Sequence, residues 1–128
     1  MKYRAICKNK EFSRVYSRGK SYVTPLVVVY ILKNRLGRTR IGLTATKKVG
    51  KAVARNRARR VMRAALAATL PREVGGYDII LVARAATPKV KSTKLEKPLR
   101  KIFASAGFAV LPAAPAPAGQ QMQEEARP

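Results

Sequence analysis

The stretch best equipped for chemistry is KKVGKAVARNRARRVMRAAL, residues 47–66. Residues 47–63 hold eight basic side chains and no acid. Projected as a helix at about 100° per residue, Ala54, Ala58, Val61, Met62, Ala65, Ala68 and Thr69 fall within about 120° of arc. Arg55, Asn56, Arg59, Arg60 and Arg63 fall on the opposite face, with Arg57 at the border. This face is suited to binding anions. A guanidinium fork pairs bidentately with phosphate and stacks on bases. Asn56 adds a donor and an acceptor that could read a base edge or a 2′-hydroxyl. A helix face that needed only solvation would mix Glu with Lys at i, i+4 to relieve repulsion. Lys47, Lys48 and Lys51 precede the helix and can hold phosphates, and Gly50 between them permits close backbone approach.

Composition narrows the chemistry further. The 128 residues carry 28 Lys plus Arg against 6 Asp plus Glu, a formal net charge of +22. His is absent, which excludes Ser-His-Asp, Cys-His and His-metal sites. The single Cys7 can form neither an internal disulfide nor a CxxC metal knuckle, and a reducing, cytoplasmic setting is expected. The longest apolar run, Leu26–Leu32, is far short of the ~20 residues of a membrane helix, and MKYRAICKNK lacks the apolar core of a signal peptide. So large a positive charge calls for a polyanion, nucleic acid first and an anionic membrane surface second.

The elements that must position these residues follow from periodicity. Residues 111–128 are rich in Pro and Ala and have no apolar period, which predicts a disordered tail behind one folded domain over 1–110. That domain holds 27 basic and 4 acidic residues, so it is more basic than the whole chain. Phe12, Val15 and Tyr16 recur at helical spacing over 9–18, with Asn9 as a candidate cap and Gly19 as terminator. Residues 21–33 read as extended, with a break at Pro25 and a central strand in LVVVYIL. After the turn NRLG, residues 38–46 alternate. Ile41, Leu43 and Ala45 share one face; Arg40, Gly42, Thr44 and Thr46 share the other, a small polar face suited to an open sheet surface.

A helix of about 17 residues ending before Pro71 comes next, and then the strand YDIILVA. The last helix carries Leu95, Leu99, Ile102, Phe103 and Ala106 on one stripe. It begins either with a Thr93–Glu96 capping box or near Lys97, with Pro98 in its first turn. The order α-β-β(-β)-α-β-α defines an α/β (α+β) two-layer sandwich.

The string RIGLTATKKVGKAVARNRARRVMRAAL, residues 40–66, resembles the signature of the bacterial ribonuclease P protein subunit. Its hallmark is the Arg55-Asn56-Arg57 core followed by Arg59 and Arg60. KNKEFSRVYSRGKS resembles that family's first helix and turn, and YDIILVAR its last strand, so the likeness spans roughly 3–106. Ala64 departs mildly from relatives that often carry a polar or acidic residue there.

The resemblance implies a ribosomal-protein-like fold with a left-handed β-α-β crossover. It implies a ribonucleoprotein endoribonuclease in which the catalytic RNA subunit removes the 5′ leader of precursor tRNA, with Mg²⁺ held mainly by the RNA. The protein alone would be inactive. It would bind the RNA subunit through Arg55, Asn56, Arg57, Arg59, Arg60, Arg63, Lys47, Lys48 and Lys51. The single-stranded leader would lie between the first helix and the sheet. Phe12 and Tyr16 are candidates there, for base stacking or equally for ordinary core packing. Thr44 and Thr46 could line the same cleft, and the aromatic that the family often carries on the preceding strand matches Val29 or Tyr30. No membrane and no obligate protein partner are implied.

Two other readings remain. One is a ribosomal-type structural RNA-binding protein, which would co-purify with ribosomal subunits. The other is a nuclease in its own right, which would need a general base or paired metal carboxylates. Glu11, Glu73, Asp78 and Glu96 are scattered without ligand spacing.

Overall fold

The computed structural model describes residues 4–6, 8–35, 37–70 and 76–106. The expected tail, the boundary at 110, Cys7 and Glu73 lie outside these. The described chain runs β1 (Arg4–Ala5), α1 (Asn9–Arg18), β2 (Lys20–Val23), β3 (Val27–Lys33), β4 (Arg40–Thr44), α2 (Ala52–Thr69), β5 (Tyr77–Ala83), a 3-10 turn (Thr87–Lys89) and α3 (Ser92–Ser105). The sheet order is β1-β4-β5-β3-β2. β4 and β5 are parallel neighbours joined through α2, and β3 pairs antiparallel with both β5 and β2. β1 adds a two-residue parallel edge to β4, too short to leave a periodic signal in the sequence.

The alternation of the strands divides the core. Val27, Val29, Ile31, Ile41, Ile79 and Leu81 face the α2–α3 layer, which delivers Met62, Leu66, Leu95, Leu99 and Phe103 into the main core. This is the expected two-layer sandwich. On the other face Ile80 and Ile6 pack with Val15 of α1, flanked by Phe12, Tyr30, Leu32 and Val82. α1 crosses only part of that face.

Several local expectations change. Asn9 is the first helical residue rather than the cap. Lys8 occupies the cap position, and its N–H donates to the Glu11 carboxylate at 3.3 Å. Gly19 does end α1, its N–H donating to the Val15 carbonyl at 2.7 Å. Pro25 falls in the turn between β2 and β3, where Thr24 Oγ1 accepts the Val27 N–H at 3.0 Å.

α3 starts at Ser92 without a side-chain cap, so the Thr93–Glu96 box does not form. Glu96 instead pairs with Arg100 one turn on, at 3.1 Å. Pro98 sits inside α3, not in its first turn. Burying both Leu95 and Leu99 requires helix on either side of the proline, and tertiary packing overrides the local penalty.

Candidate nucleic-acid interface

The partly covered sheet face is built from strand register. Tyr30, Ile80 and Gly42 are aligned across β3, β5 and β4; one row further on, Val28, Val82 and Thr44 are aligned, with Val23 of β2 beside Val28. α1 lies over the first of these rows. Gly42 makes this possible: a Cβ there would stand 2.7 Å from the Phe12 ring. The bare glycine surface lets the ring lie against the strand. The second row is only partly covered: Tyr16 of α1 reaches Thr44, Val28 and Val82 are half-buried, and Val23 is 68% exposed.

Four of the five cleft candidates come together. The Phe12 and Tyr16 rings are stacked at 6.3 Å between centroids. Tyr16 meets Tyr30 edge-on at 4.9 Å. The Tyr16 hydroxyl and Thr44 Oγ1 share a hydrogen bond of 3.3 Å. Val29, the other candidate, is fully buried on the opposite face, so Tyr30 is the aromatic on the open side.

Phe12 and Tyr30 are half-buried and Tyr16 is 38% exposed, so the group is both packed and accessible. Thr46 does not join it. It lies exposed beyond the end of β4 and lines a shallow groove with Lys47, Lys48, Val82 and Arg84. Val28, Val82 and Arg84 were missed from sequence, because their place on this face depends on which strands are neighbours.

The turn after β4 is pinned by Val49, which is buried among the α2-side core residues. It leaves Lys47, Lys48 and Lys51 exposed. Gly50 holds a φ of 141° that an L side chain rarely adopts. On α2, Asn56, Arg60 and Arg63 are exposed as projected, and Arg57, projected at the border, is exposed too. Arg55 and Arg59 are not fully outward. Both are half-buried, and the Arg55 Nε is buried without a hydrogen-bond partner. Arg59 Nη1 donates to Asn56 Oδ1 at 3.2 Å, which orients the amide and leaves its NH₂ available to a ligand.

One part of the polar β4 face is closed rather than open. Arg40 and Asp78 sit opposite each other on β4 and β5, and Asp78 is fully buried. Arg40 Nε and Nη2 donate to the two Asp78 oxygens at 2.9 and 2.8 Å. Asn34 Nδ2 donates to Asp78 Oδ1 at 2.7 Å, and Arg14 Nη2 reaches Asp78 Oδ2 at 3.2 Å. Arg40 also pairs with Glu11. Burial pushes the Asp78 carboxyl up, but the donors from Arg40, Asn34 and Arg14 outweigh it and hold the group below the usual carboxylate range. These contacts fix α1 to the sheet. The described acids Glu11, Asp78 and Glu96 each pair with an arginine outside α2, so no described carboxylate pairs with the cations of α2.

A cationic helix on one side of the sheet and a half-open aromatic surface on the other define a basic α+β protein with the surface of a nucleic-acid binder. A family model described as Ribonuclease P matches residues 1–107. The ribonuclease P protein component of Clostridium botulinum (strain Loch Maree / Type A3) is 41% identical over 109 residues, covering 84% of this chain and 98% of that protein. The ribonuclease P protein component of Dehalococcoides mccartyi (strain CBDB1) is 38% identical over 101 residues, covering 79% and 82%.

Among solved structures, the RNase P protein of Staphylococcus aureus superposes with a TM-score of 0.67 at 28% identity, covering 84% of this chain and 98% of that one. The RNase P protein of Thermotoga maritima, at 23% identity, shares the fold with a TM-score of 0.67 over 80% and 96% of the two chains. The chain belongs to the ribonuclease P protein family, the protein components of a bacterial ribonuclease of tRNA processing.

Proposed function

We propose that the chain binds the catalytic RNA subunit of ribonuclease P and the 5′ leader of precursor tRNA, and so assists endonucleolytic removal of the leader in the cytoplasm. The observation that carries this reading is the meeting of Phe12, Tyr16, Tyr30 and Thr44 on a sheet face that α1 only partly covers. Single-stranded bases stack on such rings whatever their identity, at about 1–3 kcal/mol per base. The leader would lie there. Asn56, Arg57, Arg60 and Arg63, with Arg55, Arg59 and the lysines at 47, 48 and 51, would hold the RNA subunit.

The hydrolysis belongs to the RNA subunit and its Mg²⁺ in this reading. The carboxylates nearest the cleft, Glu11 and Asp78, are engaged by Arg40 and do not fit as ligands for a divalent ion. No step is assigned to a protein carboxylate. Reconstitution with the cognate RNA subunit tests the proposal. The protein should raise precursor-tRNA cleavage at low Mg²⁺ and show no cleavage alone. An absence of stimulation overturns it.

A further inference from the structure

α1 has two flanks, and only one of them belongs to the aromatic cleft. At about 100° per residue, Lys10, Arg14 and Arg18 fall on a stripe opposite Phe12 and Tyr16, with Glu11 and Val15 between the two stripes. Val15 is buried against the sheet, so the helix stands on the sheet as a wall with a groove on either side. The second groove is lined by Lys10, Arg14 and Arg18 from α1, Lys33 from the end of β3, and Arg35 and Arg40.

Its charge is not balanced from within. Of the acids in the neighbourhood, Glu11 and Asp78 bind Arg40, and Asp78 also binds Arg14. Lys10, Arg18, Lys33 and Arg35 have no carboxylate partner among the described residues. All four are exposed.

We propose that this groove is a second phosphodiester-binding surface, separate from both α2 and the aromatic cleft, and that an RNA backbone lies along it. Three cations at i, i+4 and i+8 on α1 advance in steps of about 6 Å, comparable to the separation of successive phosphates on a strand. An open row of this kind fits a chain of phosphates better than one small anion, which an enclosed site with converging donors would hold. Arg14, tied to the buried Asp78, is fixed in place, while Arg18, Lys33 and Arg35 are unengaged and supply counter-charge. The inference rests on the chain being an RNA-binding subunit. The backbone could belong to the RNA subunit or to the precursor tRNA.

The test uses the full chain carrying Arg18→Gln, Lys33→Gln and Arg35→Gln together, none of which removes a contact to Asp78 or Glu11. Affinity is measured against salt in two arms, protein with the RNA subunit and assembled holoenzyme with precursor tRNA. Each lost phosphate contact lowers the log–log slope by about 0.7–0.9, so the slope should fall by about 2–3 in one arm. A fall in the first arm assigns the backbone to the RNA subunit, and a fall in the second to the precursor. Unchanged slopes in both arms overturn the proposal. Arg60→Gln on α2 separates this failure from the broader one. If Arg60→Gln lowers the slope and the triple variant does not, the groove is wrong and the RNA-binding reading stands. If neither changes, that reading fails as well. Should the triple variant not fold, Arg35→Gln alone, in the exposed turn, should give a fall of about 0.7–0.9 in the same arm.

Discussion

Arg40 and Asp78 face each other across the parallel strands β4 and β5, and two donors of one guanidinium engage both oxygens of one carboxylate. The pair lies beneath α1, which contributes Arg14 to Asp78 and Glu11 to Arg40. The helix that carries the cleft aromatics is thus tied to the strands by a buried charge network as well as by Val15.

Asp78→Asn should therefore cost far more than its size change suggests. Removing one partner of a buried pair costs about 3–5 kcal/mol when the other is left uncompensated, and Arg40 would keep only its pairing with Glu11. Denaturant unfolding should show this loss. A change within about 0.5 kcal/mol, the range of ordinary surface substitutions, would contradict the network's structural role.

The same carboxyl gives a pH signature. Its folded-state pKa is depressed, so its stabilisation is present above the unfolded value of about 3.9 and is lost as pH falls through the lower folded value. Unfolding free energy should decline steeply below about pH 4. In Asp78→Asn that part of the acid decline should be missing. Parallel acid limbs in the two proteins would assign the sensitivity elsewhere.

Tyr16→Ala should weaken binding of precursor tRNA by about 1–3 kcal/mol, the worth of one stacked base. Binding of tRNA without a leader should be unchanged. Tyr16 is the cleaner probe because Phe12 is more deeply packed, against Gly42. Equal losses with both RNAs would show that the ring only supports the fold.

Gly42→Ala tests the floor of the cleft. The new methyl would meet the Phe12 ring, and overpacking of this kind costs about 1–3 kcal/mol. Thermal melts should register the cost, and leader-dependent affinity should fall with it. Wild-type stability would mean that Phe12 moves aside freely.

Arg60→Ala and Arg55→Ala should separate binding from packing. Arg60 is exposed, so its loss should lower the salt slope for RNA-subunit binding by about 1 while leaving stability within about 0.5 kcal/mol. Arg55, half-buried through its Nε, should change stability as well. Identical profiles for the two variants would argue against that division.

The local elements were legible in the sequence because each carries its own period. Residues 38–46 alternate, and the structure sends Ile41, Leu43 and Ala45 to the α2 side. The α2 stripe of Ala58, Met62 and Ala65 is buried as projected, although Leu66, outside the projected arc, is buried too. What escaped the sequence depends on adjacency between distant segments. Arg40 and Asp78 are 38 positions apart, and nothing in either string says that β4 and β5 are neighbours in register. Arg40 accordingly read as an exposed polar residue and Asp78 as a stray acid. Gly42 likewise read as a small residue on an open face, and only the position of α1 shows that its missing side chain is filled by Phe12.

Because α1 stands on the sheet as a single partition, the widths of the spaces on its two sides are complementary. Any sideways shift of the helix that narrows one widens the other by the same amount. The bonds from Arg14 to Asp78 and from Glu11 to Arg40 set the gauge of both at once. The two grooves are thus set by one element, across a distance of only one helix diameter.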